Sequence, residues 1–258
     1  MRTHFLLLLA LLPCACPGGP GDGDPGDDSD TTDDSETHEP PPLYPDGDRI
    51  LLYYGHGGAQ EDESGWGTFA WVDEHWKDVY GWNSDYRDYI PDDLSAYRAI
   101  FFLSPGISGE ETFTPTQLEL LRGALAAGTR LILTAERDGC AATSPNQLLE
   151  GLETSLRLTG SGLQQYQIAE TDLISPDQIT AGVASLRFRD ACYVDPGEGR
   201  GLVRYNEDML LAVERVGAGG EVVVVGDFEF MDDSGPREWA DNALLADRLI
   251  EVDPALAE

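Results

Sequence analysis

Short apolar runs alternate with amphipathic segments along most of the chain. The first three runs are Arg49–Tyr54, with the sequence RILLYY, Ala99–Leu103 and Leu131–Leu133. Each is too short for a free-standing helix and is followed by polar residues or glycine, a pattern that is typical of buried strands. The segment EVVVVGD at residues 221–227 is the most hydrophobic of these runs. We expect it to be a central strand that is buried on both faces.

The best-defined helix lies between the second and third runs. Thr114 precedes Pro115, so an N-cap residue is followed by the residue that suits a first helical turn. Leucines then recur at helical spacing, and Gly128 lies where helices commonly end. A strand, a helix and a strand with short links form a βαβ unit, so the two strands should be parallel. A further helix start is predicted at Ser144, and a closing amphipathic helix at Trp239–Ile250.

Other segments carry weaker signals. Their patterns predict a helix over Ser64–Trp76, a short strand over Asp78–Trp82 and loops over Asn83–Asp93 and Gly160–Ile179. The C-terminal half has three more strand signals, the last two joined by a turn: Val183–Tyr193, Gly201–Tyr205 and Met209–Val216. The chain is therefore predicted to be an α/β protein with a mainly parallel central sheet and a few antiparallel strands in its C-terminal half.

Residues 1–16, MRTHFLLLLALLPCAC, have the composition of an export signal. Arg2 supplies a positive charge, and the apolar core that follows is too short for a permanent membrane span. The two cysteines at its end resemble the lipobox of bacterial lipoproteins. Cys16, preceded by the small residue Ala15, is the predicted lipidation site, with Cys14 as the alternative. An ordinary secretory signal with two incidental cysteines is the other interpretation.

An acidic, Asp-rich segment follows the signal. Residues 17–47 contain almost no apolar side chains and cannot offset the entropy of folding, so they are predicted to be a disordered tether. The α/β domain is expected to span residues 48–253, with a tail at residues 254–258. The whole chain of 258 residues has a formal net charge of −32, which argues against a nucleic-acid partner because little is available to neutralise phosphates. We expect the protein to be exported to the cell envelope, at the outer membrane or the cell surface, and to contact the membrane through its lipid anchor.

The remaining cysteines, Cys140 and Cys192, form an even pair. Because an exported protein meets an oxidising compartment, we expect a disulfide between them. Two separate thiols, one of them reactive, are the alternative.

With this order of elements, the chain resembles the class I glutamine amidotransferase-like superfamily, a flavodoxin-like three-layer fold. More narrowly, it is similar to the branch that includes ThuA-like and non-catalytic amidotransferase-like domains. The resemblance covers about residues 49–250. It is carried by RILLYYGHGG at 49–58, LSAYRAIFFLSPG at 94–106, FTPTQLELLRGALAAGTRLILTAE at 113–136, ITAGVASL at 179–186, EVVVVGDFEFMDD at 221–233 and DNALLADRL at 241–249.

Catalytic members of this superfamily use a Cys on a sharp strand-to-helix elbow, with a His and a Glu further along the chain. Here the corresponding strand runs into Glu136, and Cys140 lies several residues later. No histidine follows Cys140, so the base that would activate a thiol is missing. With this departure, the resemblance implies a non-catalytic binding or interaction domain. We expect no cofactor, and we expect the ligand to be an unidentified protein or glycan.

A different class of function rests on polar residues at the predicted strand ends. His56, Ser104, Glu136 and Asp227 should lie at the carboxyl ends of the strands, where the ligands of such sheets collect. His56, Glu136 and Asp227 could serve a divergent hydrolase or sugar-modifying enzyme, with or without a metal. Alternatively, His56 lies in a flexible glycine loop, Glu136 caps the next helix and Asp227 stabilises a turn.

Aromatic residues crowd the segment from residue 66 to residue 89. With interspersed Asp and Asn they could stack on sugars, although helical spacing favours core positions for several of them. The residues concerned are Trp66, Trp71, Trp76, Tyr80, Trp82, Tyr86 and Tyr89.

Overall fold

The computed structural model describes residues 49–59, 68–109, 111–217, 220–233 and 241–251. The predictions for the export signal, for Cys14 and Cys16, for the tether and for the tail lie outside these ranges. None of the helices inside them has the length and apolar character that a membrane crossing requires.

Within the described ranges the chain forms eleven strands and four α-helices. The strands are β1 Arg49–Tyr53, β2 Asn83–Arg87, β3 Tyr97–Leu103, β4 Arg130–Thr134, β5 Arg157–Gly162, β6 Ile168–Thr171, β7 Leu186–Arg189, β8 Cys192–Asp195, β9 Arg200–Tyr205, β10 Asp208–Val216 and β11 Gly220–Val225. The helices are α1 Ala70–Tyr80, α2 Pro115–Ala126, α3 Thr143–Gly151 and α4 Asn242–Ile250.

A seven-stranded sheet lies at the centre of the domain, in the order β2-β1-β3-β4-β11-β10-β9. The first five strands in this order are parallel to one another. β10 is antiparallel to both β11 and β9, and the pairs β5-β8 and β6-β7 are also antiparallel. The prediction of an α/β protein with a mainly parallel sheet and antiparallel strands in the C-terminal half is confirmed.

Helices pack on both faces of this sheet. Alternate residues of a strand point to opposite faces, so the buried strands β1, β3, β4 and β11 contribute to two separate hydrophobic cores. One core includes α1 and α4, through Val72, Trp76, Leu245 and Leu249. The other includes α2 and α3, through Leu121, Leu125, Leu148 and Leu149.

The predicted βαβ unit is present as β3, α2 and β4. The Thr114 hydroxyl accepts a hydrogen bond from the backbone N–H of Gln117 at 3.3 Å, and the Gln117 side chain accepts one from the Thr114 N–H at 2.8 Å. This reciprocal capping box satisfies two N–H groups that a helix start leaves unpaired. Gly128, with a φ of +97°, follows the helix in the left-handed conformation that glycine tolerates best.

Two predictions near β2 were wrong. Residues 78–80, predicted to begin a strand, complete α1, and the strand forms at Asn83–Arg87, where a loop was expected. β2 lies at the edge of the sheet and is polar, so it carries little hydrophobic periodicity. Its polar groups are satisfied instead: the Asp85 carboxylate accepts hydrogen bonds at 2.5 Å from both Arg49 and the Tyr97 hydroxyl.

The loop predicted at Gly160–Ile179 contains β6 and the end of β5. The single strand predicted over Val183–Tyr193 is divided between β7 and β8, which belong to different sheets. Asp190, with a φ of +55°, lies between those two strands and redirects the chain. The helix start predicted at Ser144 lies two residues too late, because α3 has Ala142 at its N-cap position.

Candidate functional site

Three carboxylates meet where β4 and β11 end. Glu136 follows β4, and Asp227 and Glu229 follow β11. One oxygen from each side chain lies within 4.8 Å of the others, and all three residues are buried. The structure therefore brings together two of the predicted site residues, Glu136 and Asp227, and adds Glu229. We refer to these three residues as the carboxylate cluster.

Asp227 organises the backbone around the cluster. One carboxylate oxygen accepts a hydrogen bond from the Arg189 N–H at 2.7 Å, and the other accepts one from the Glu229 N–H at 2.7 Å. Asp227 therefore holds the turn after β11 against the end of β7, as the turn-stabilising alternative predicted. Burial, followed by the charge of Glu229, raises the pKa of Asp227 well above its ordinary value.

Glu229 is held by a two-point contact with Arg189. The guanidinium donates two hydrogen bonds of 2.5 Å, one to each carboxylate oxygen. Such bidentate pairs are both strong and directional. Glu229 is thus fixed in position, with the Arg189 guanidinium beside it.

Glu136 has no comparable partner. It occupies the N-cap position of a short 3-10 turn, Arg137–Gly139, but its side chain makes no capping hydrogen bond, so the capping alternative was wrong. Its Oε2 atom is buried without any hydrogen-bond partner. Burial, followed by the charges of Asp227 and Glu229, raises the pKa of Glu136 to about 10. The carboxyl group is therefore protonated at neutral pH unless a cation is bound beside it.

The cluster adjoins a surface cleft of about 360 Å³. Its lining includes Glu136, Arg137, Asp138, Gln165, Tyr166 and Glu229. Tyr166 is 78% exposed and has a φ of +61°, an unusual conformation for a bulky residue. Its N–H donates a 2.5 Å hydrogen bond to Asp190, another residue of the cleft. The backbone of Tyr166 is thereby held at the edge of an acidic cleft, and its aromatic ring is exposed there.

His56 is not part of the carboxylate cluster. Its imidazole stacks on the Phe113 ring, with 3.9 Å between ring centroids, and its Nδ1 atom is hydrogen-bonded to the Tyr53 hydroxyl. Burial lowers the pKa of His56, although the nearby charge of Glu111 partly opposes this effect. His56 is thus neutral at pH 7. The predicted combination of His56 with Glu136 and Asp227 is not assembled.

Ser104 also lies outside the cluster. It follows β3 with a φ of +49°, and its buried hydroxyl has no hydrogen-bond partner. The backbone N–H of Ser104 donates to the carbonyl of Thr134 at 3.1 Å. Ser104 therefore ties the turn after β3 to the end of β4 rather than joining the carboxylates.

The predicted disulfide between Cys140 and Cys192 is confirmed. The two Cα atoms lie 5.4 Å apart, and the residues are separated by 52 positions in the sequence. The bond fastens the turn after β4 to the start of β8. Since the sulfur of Cys140 is used in this bond, it offers no thiol for nucleophilic chemistry.

The predicted aromatic sugar-binding segment is mostly engaged in internal packing. Trp76 is fully buried, and the Trp71 indole N–H donates to the carbonyl of Asp232 at 3.2 Å. Tyr80 stacks on Trp82, and Tyr86 stacks on Tyr54. Among the residues of this segment that the structure describes, Tyr86 and Tyr89 are the exposed aromatics. Trp66 lies outside the described ranges.

No protein-family model matches the chain, and no curated protein matches it. Among solved structures, it is similar to the mmIFT52 N-terminal domain, with a TM-score of 0.60 and 15% identity over 77% of this chain and 94% of that one. It is also similar to the cytoplasmic protein STM3548 from Salmonella typhimurium, with a TM-score of 0.57 and 12% identity over 79% and 98% of the two chains. A ThuA-like protein from Bacteroides uniformis has a TM-score of 0.48 and 13% identity over 80% and 95%, which is too low to carry weight. The first two similarities establish a shared fold and nothing about activity.

Proposed function

We propose that this protein is an exported, non-catalytic ligand-binding protein. In this account a lipid anchor at Cys16 and an acidic tether hold a flavodoxin-like, amidotransferase-like domain at the cell envelope. The order β2-β1-β3-β4-β11 supports the flavodoxin-like part, since it matches the strand order 2-1-3-4-5 of that fold. Helices on both faces of the sheet support a three-layer arrangement. The disulfide supports export, because such bonds persist in oxidising compartments.

The observation that carries the non-catalytic assignment is the backbone after β4. At Glu136 the chain is extended, with φ −149° and ψ +149°, so it lacks the sharp elbow on which the superfamily presents its nucleophile. The nearby Cys140 is bonded to Cys192, and His56 packs on Phe113 instead of facing either residue. The described part of the chain therefore contains no paired thiol and imidazole at this position.

The ligand site that we assign is the cleft beside the carboxylate cluster, and the ligand class is a glycan. The exposed ring of Tyr166 offers an aromatic face with a polar end, which suits stacking on a sugar ring. Arg137, Asp138 and Gln165 line the same cleft and supply donors and acceptors for hydroxyl groups. A concave site with a few polar groups that fix orientation is typical of small-ligand binding.

The test is a calorimetric titration with cell-wall glycans and common oligosaccharides. Tyr166→Ala should weaken binding at least tenfold, because it removes the ring on the edge of the cleft. Tyr89→Ala is the matched control: Tyr89 is 51% exposed but is not among the residues that line the cleft. Equal binding by both variants would remove Tyr166 from the site, and failure of every glycan to bind would refute the ligand class.

A second candidate, a divergent hydrolase or sugar-modifying enzyme, is favoured by one observation. Burial raises the pKa of Glu136 to about 10, and one of its oxygens lies within 4.8 Å of an oxygen of Glu229. Glycoside hydrolysis commonly pairs a protonated carboxyl group with a second carboxylate. Asp227 is 1% exposed, so it would position that pair from inside the protein rather than contact the substrate. Release of a chromophore from aryl glycosides, abolished by Glu136→Gln, would favour this candidate over the non-catalytic one.

A further inference from the structure

The carboxylate cluster concentrates negative charge with too little positive charge beside it. Arg189 contacts Glu229 at both carboxylate oxygens. Asp190 and Asp232 add to the local negative potential, since their charges act on Glu136 and Asp227 respectively. Arg137 reaches Asp190 at 3.8 Å. Burying several carboxylates together is costly unless a cation or a proton neutralises them.

Glu136 provides an independent sign that a ligand is bound here. The residue is 7% exposed, and one of its carboxylate oxygens is buried with no hydrogen-bond partner. Buried polar atoms in folded proteins nearly always have a partner. Glu136 also contributes one of the oxygens that lie within 4.8 Å of Asp227 and Glu229. The residue that carries this unpartnered oxygen thus belongs to the same small volume as the other two carboxylates.

We propose that Glu136, Asp227 and Glu229 bind one divalent cation, with Ca²⁺ preferred over Mg²⁺. All three ligands are oxygen atoms, which hard cations select. Oxygens on opposite sides of a Ca²⁺ ion are about 4.6–5.2 Å apart, twice the Ca–O distance, so three oxygens within 4.8 Å can share one ion. Ca²⁺ also accepts irregular coordination, whereas Mg²⁺ demands a near-ideal octahedron. Water from the adjoining cleft completes the coordination.

This inference rests on the proposed function in one respect: a cation at the cleft would offer open coordination positions to the hydroxyl groups of a glycan. The cation site itself needs no glycan. Its affinity should be on the order of 0.1–1 mM, the range of extracellular calcium modules.

The proposal is tested by thermal unfolding of the full exported chain. The Tm reports only binding that stabilises the folded domain, so weak binding of Ca²⁺ to the acidic tether should not raise it. After treatment with EDTA, 5 mM CaCl₂ should raise the Tm by about 3–6 °C. Glu136→Gln keeps the side-chain volume and should lose this rise. Glu119→Gln, on the exposed side of α2, should keep it, and 5 mM MgCl₂ should give less than half of it. No rise in the wild-type protein, or an equal rise in Glu136→Gln, would overturn the proposal.

A second measurement locates the ion directly. Crystals soaked with Tb³⁺, which replaces Ca²⁺, should show an anomalous peak about 2.3–2.6 Å from oxygens of all three residues. A peak elsewhere, or none, would contradict the site. The failures of the two proposals are distinguishable: a Ca²⁺-dependent Tm without glycan binding refutes the ligand class alone, and glycan binding without a Ca²⁺ effect refutes the cation site alone.

Discussion

Glu136 and Asp227 occupy equivalent positions after two paired strands. Thr134 of β4 is opposite Val225 of β11. Glu136 lies two positions after Thr134 in the sequence, and Asp227 lies two positions after Val225. Parallel pairing therefore delivers both side chains to one edge, and an oxygen of each lies within 4.8 Å of the other. The site is a direct consequence of strand register, although 91 positions separate the two residues in the sequence.

We predict that Glu136→Gln stabilises the protein when calcium is absent. Glutamine fills the same space but needs neither a proton nor a cation, so it removes the penalty of burying a carboxyl group among other carboxylates. The free energy of unfolding should rise by about 1–3 kcal/mol at pH 8 in EDTA, as measured by urea denaturation. Glu119→Gln should change it by less than about 0.5 kcal/mol. A destabilised Glu136→Gln variant would show that the carboxyl group has a partner that stabilises it.

The pH dependence of stability should include a contribution from Glu214. Burial favours its neutral form, but hydrogen bonds from Thr154 and Ser155, at 2.6–2.8 Å, outweigh this and lower the pKa of Glu214. A lowered carboxyl pKa stabilises the fold above about pH 4.5, and this stability is lost as the pH falls through the lowered value. Glu214→Gln should cost about 1 kcal/mol at pH 7, a low figure because the side chain is only half-buried.

That cost should shrink as the pH falls through the lowered pKa of Glu214, because protonation removes the charge that the hydrogen bonds stabilise. Urea denaturation of the wild-type and variant proteins over a series of pH values from 7 downward checks this. A cost that does not change with pH would show that hydrogen-bond geometry, rather than ionisation of Glu214, sets the contribution.

Reduction of the disulfide should destabilise the domain. The bond between Cys140 and Cys192 closes a loop of 52 positions, which limits the freedom of the unfolded chain. Its loss should cost about 2–4 kcal/mol, measured by urea denaturation with and without reductant. A variant with both cysteines replaced by alanine should be insensitive to reductant. Free thiols at both positions before reduction would contradict the bond.

Lipid attachment is predicted at Cys16. The Cys16→Ser variant should move from the detergent phase to the aqueous phase on Triton X-114 partitioning of cells that export the protein. Cys14→Ser should remain in the detergent phase. The opposite result would assign the anchor to Cys14, and aqueous partitioning of the wild-type protein would favour an ordinary secretory signal.

Local sequence signals were sufficient for the parts of the fold that are built from neighbouring residues. The capping box at Thr114 and Gln117 and the leucine spacing of α2 identified the βαβ unit, because helix starts and helical faces are encoded within a few positions. β2 was missed for the opposite reason. An edge strand buries little, so Asn83–Arg87 can be polar and shows no periodicity.

Sequence patterns predicted only that the site residues lie at the carboxyl ends of parallel strands. The common location of Glu136 and Asp227 follows from parallel strands, but Glu229 was overlooked. Its signal was the alternation in Asp227-Phe228-Glu229-Phe230, where each acid is followed by a buried phenylalanine. His56 was misassigned because its partner Phe113 lies 57 positions away, and no local pattern reveals such a contact.

The most direct test of the account is the glycan titration of the wild-type protein beside Tyr166→Ala and Tyr89→Ala. If the cleft is a non-catalytic glycan site, the wild-type protein shows saturable binding with no release of product, Tyr166→Ala loses at least tenfold in affinity and Tyr89→Ala does not change. Turnover of the glycan that Glu136→Gln abolishes, or binding that Tyr166→Ala leaves unchanged, would contradict a non-catalytic binding site in this cleft.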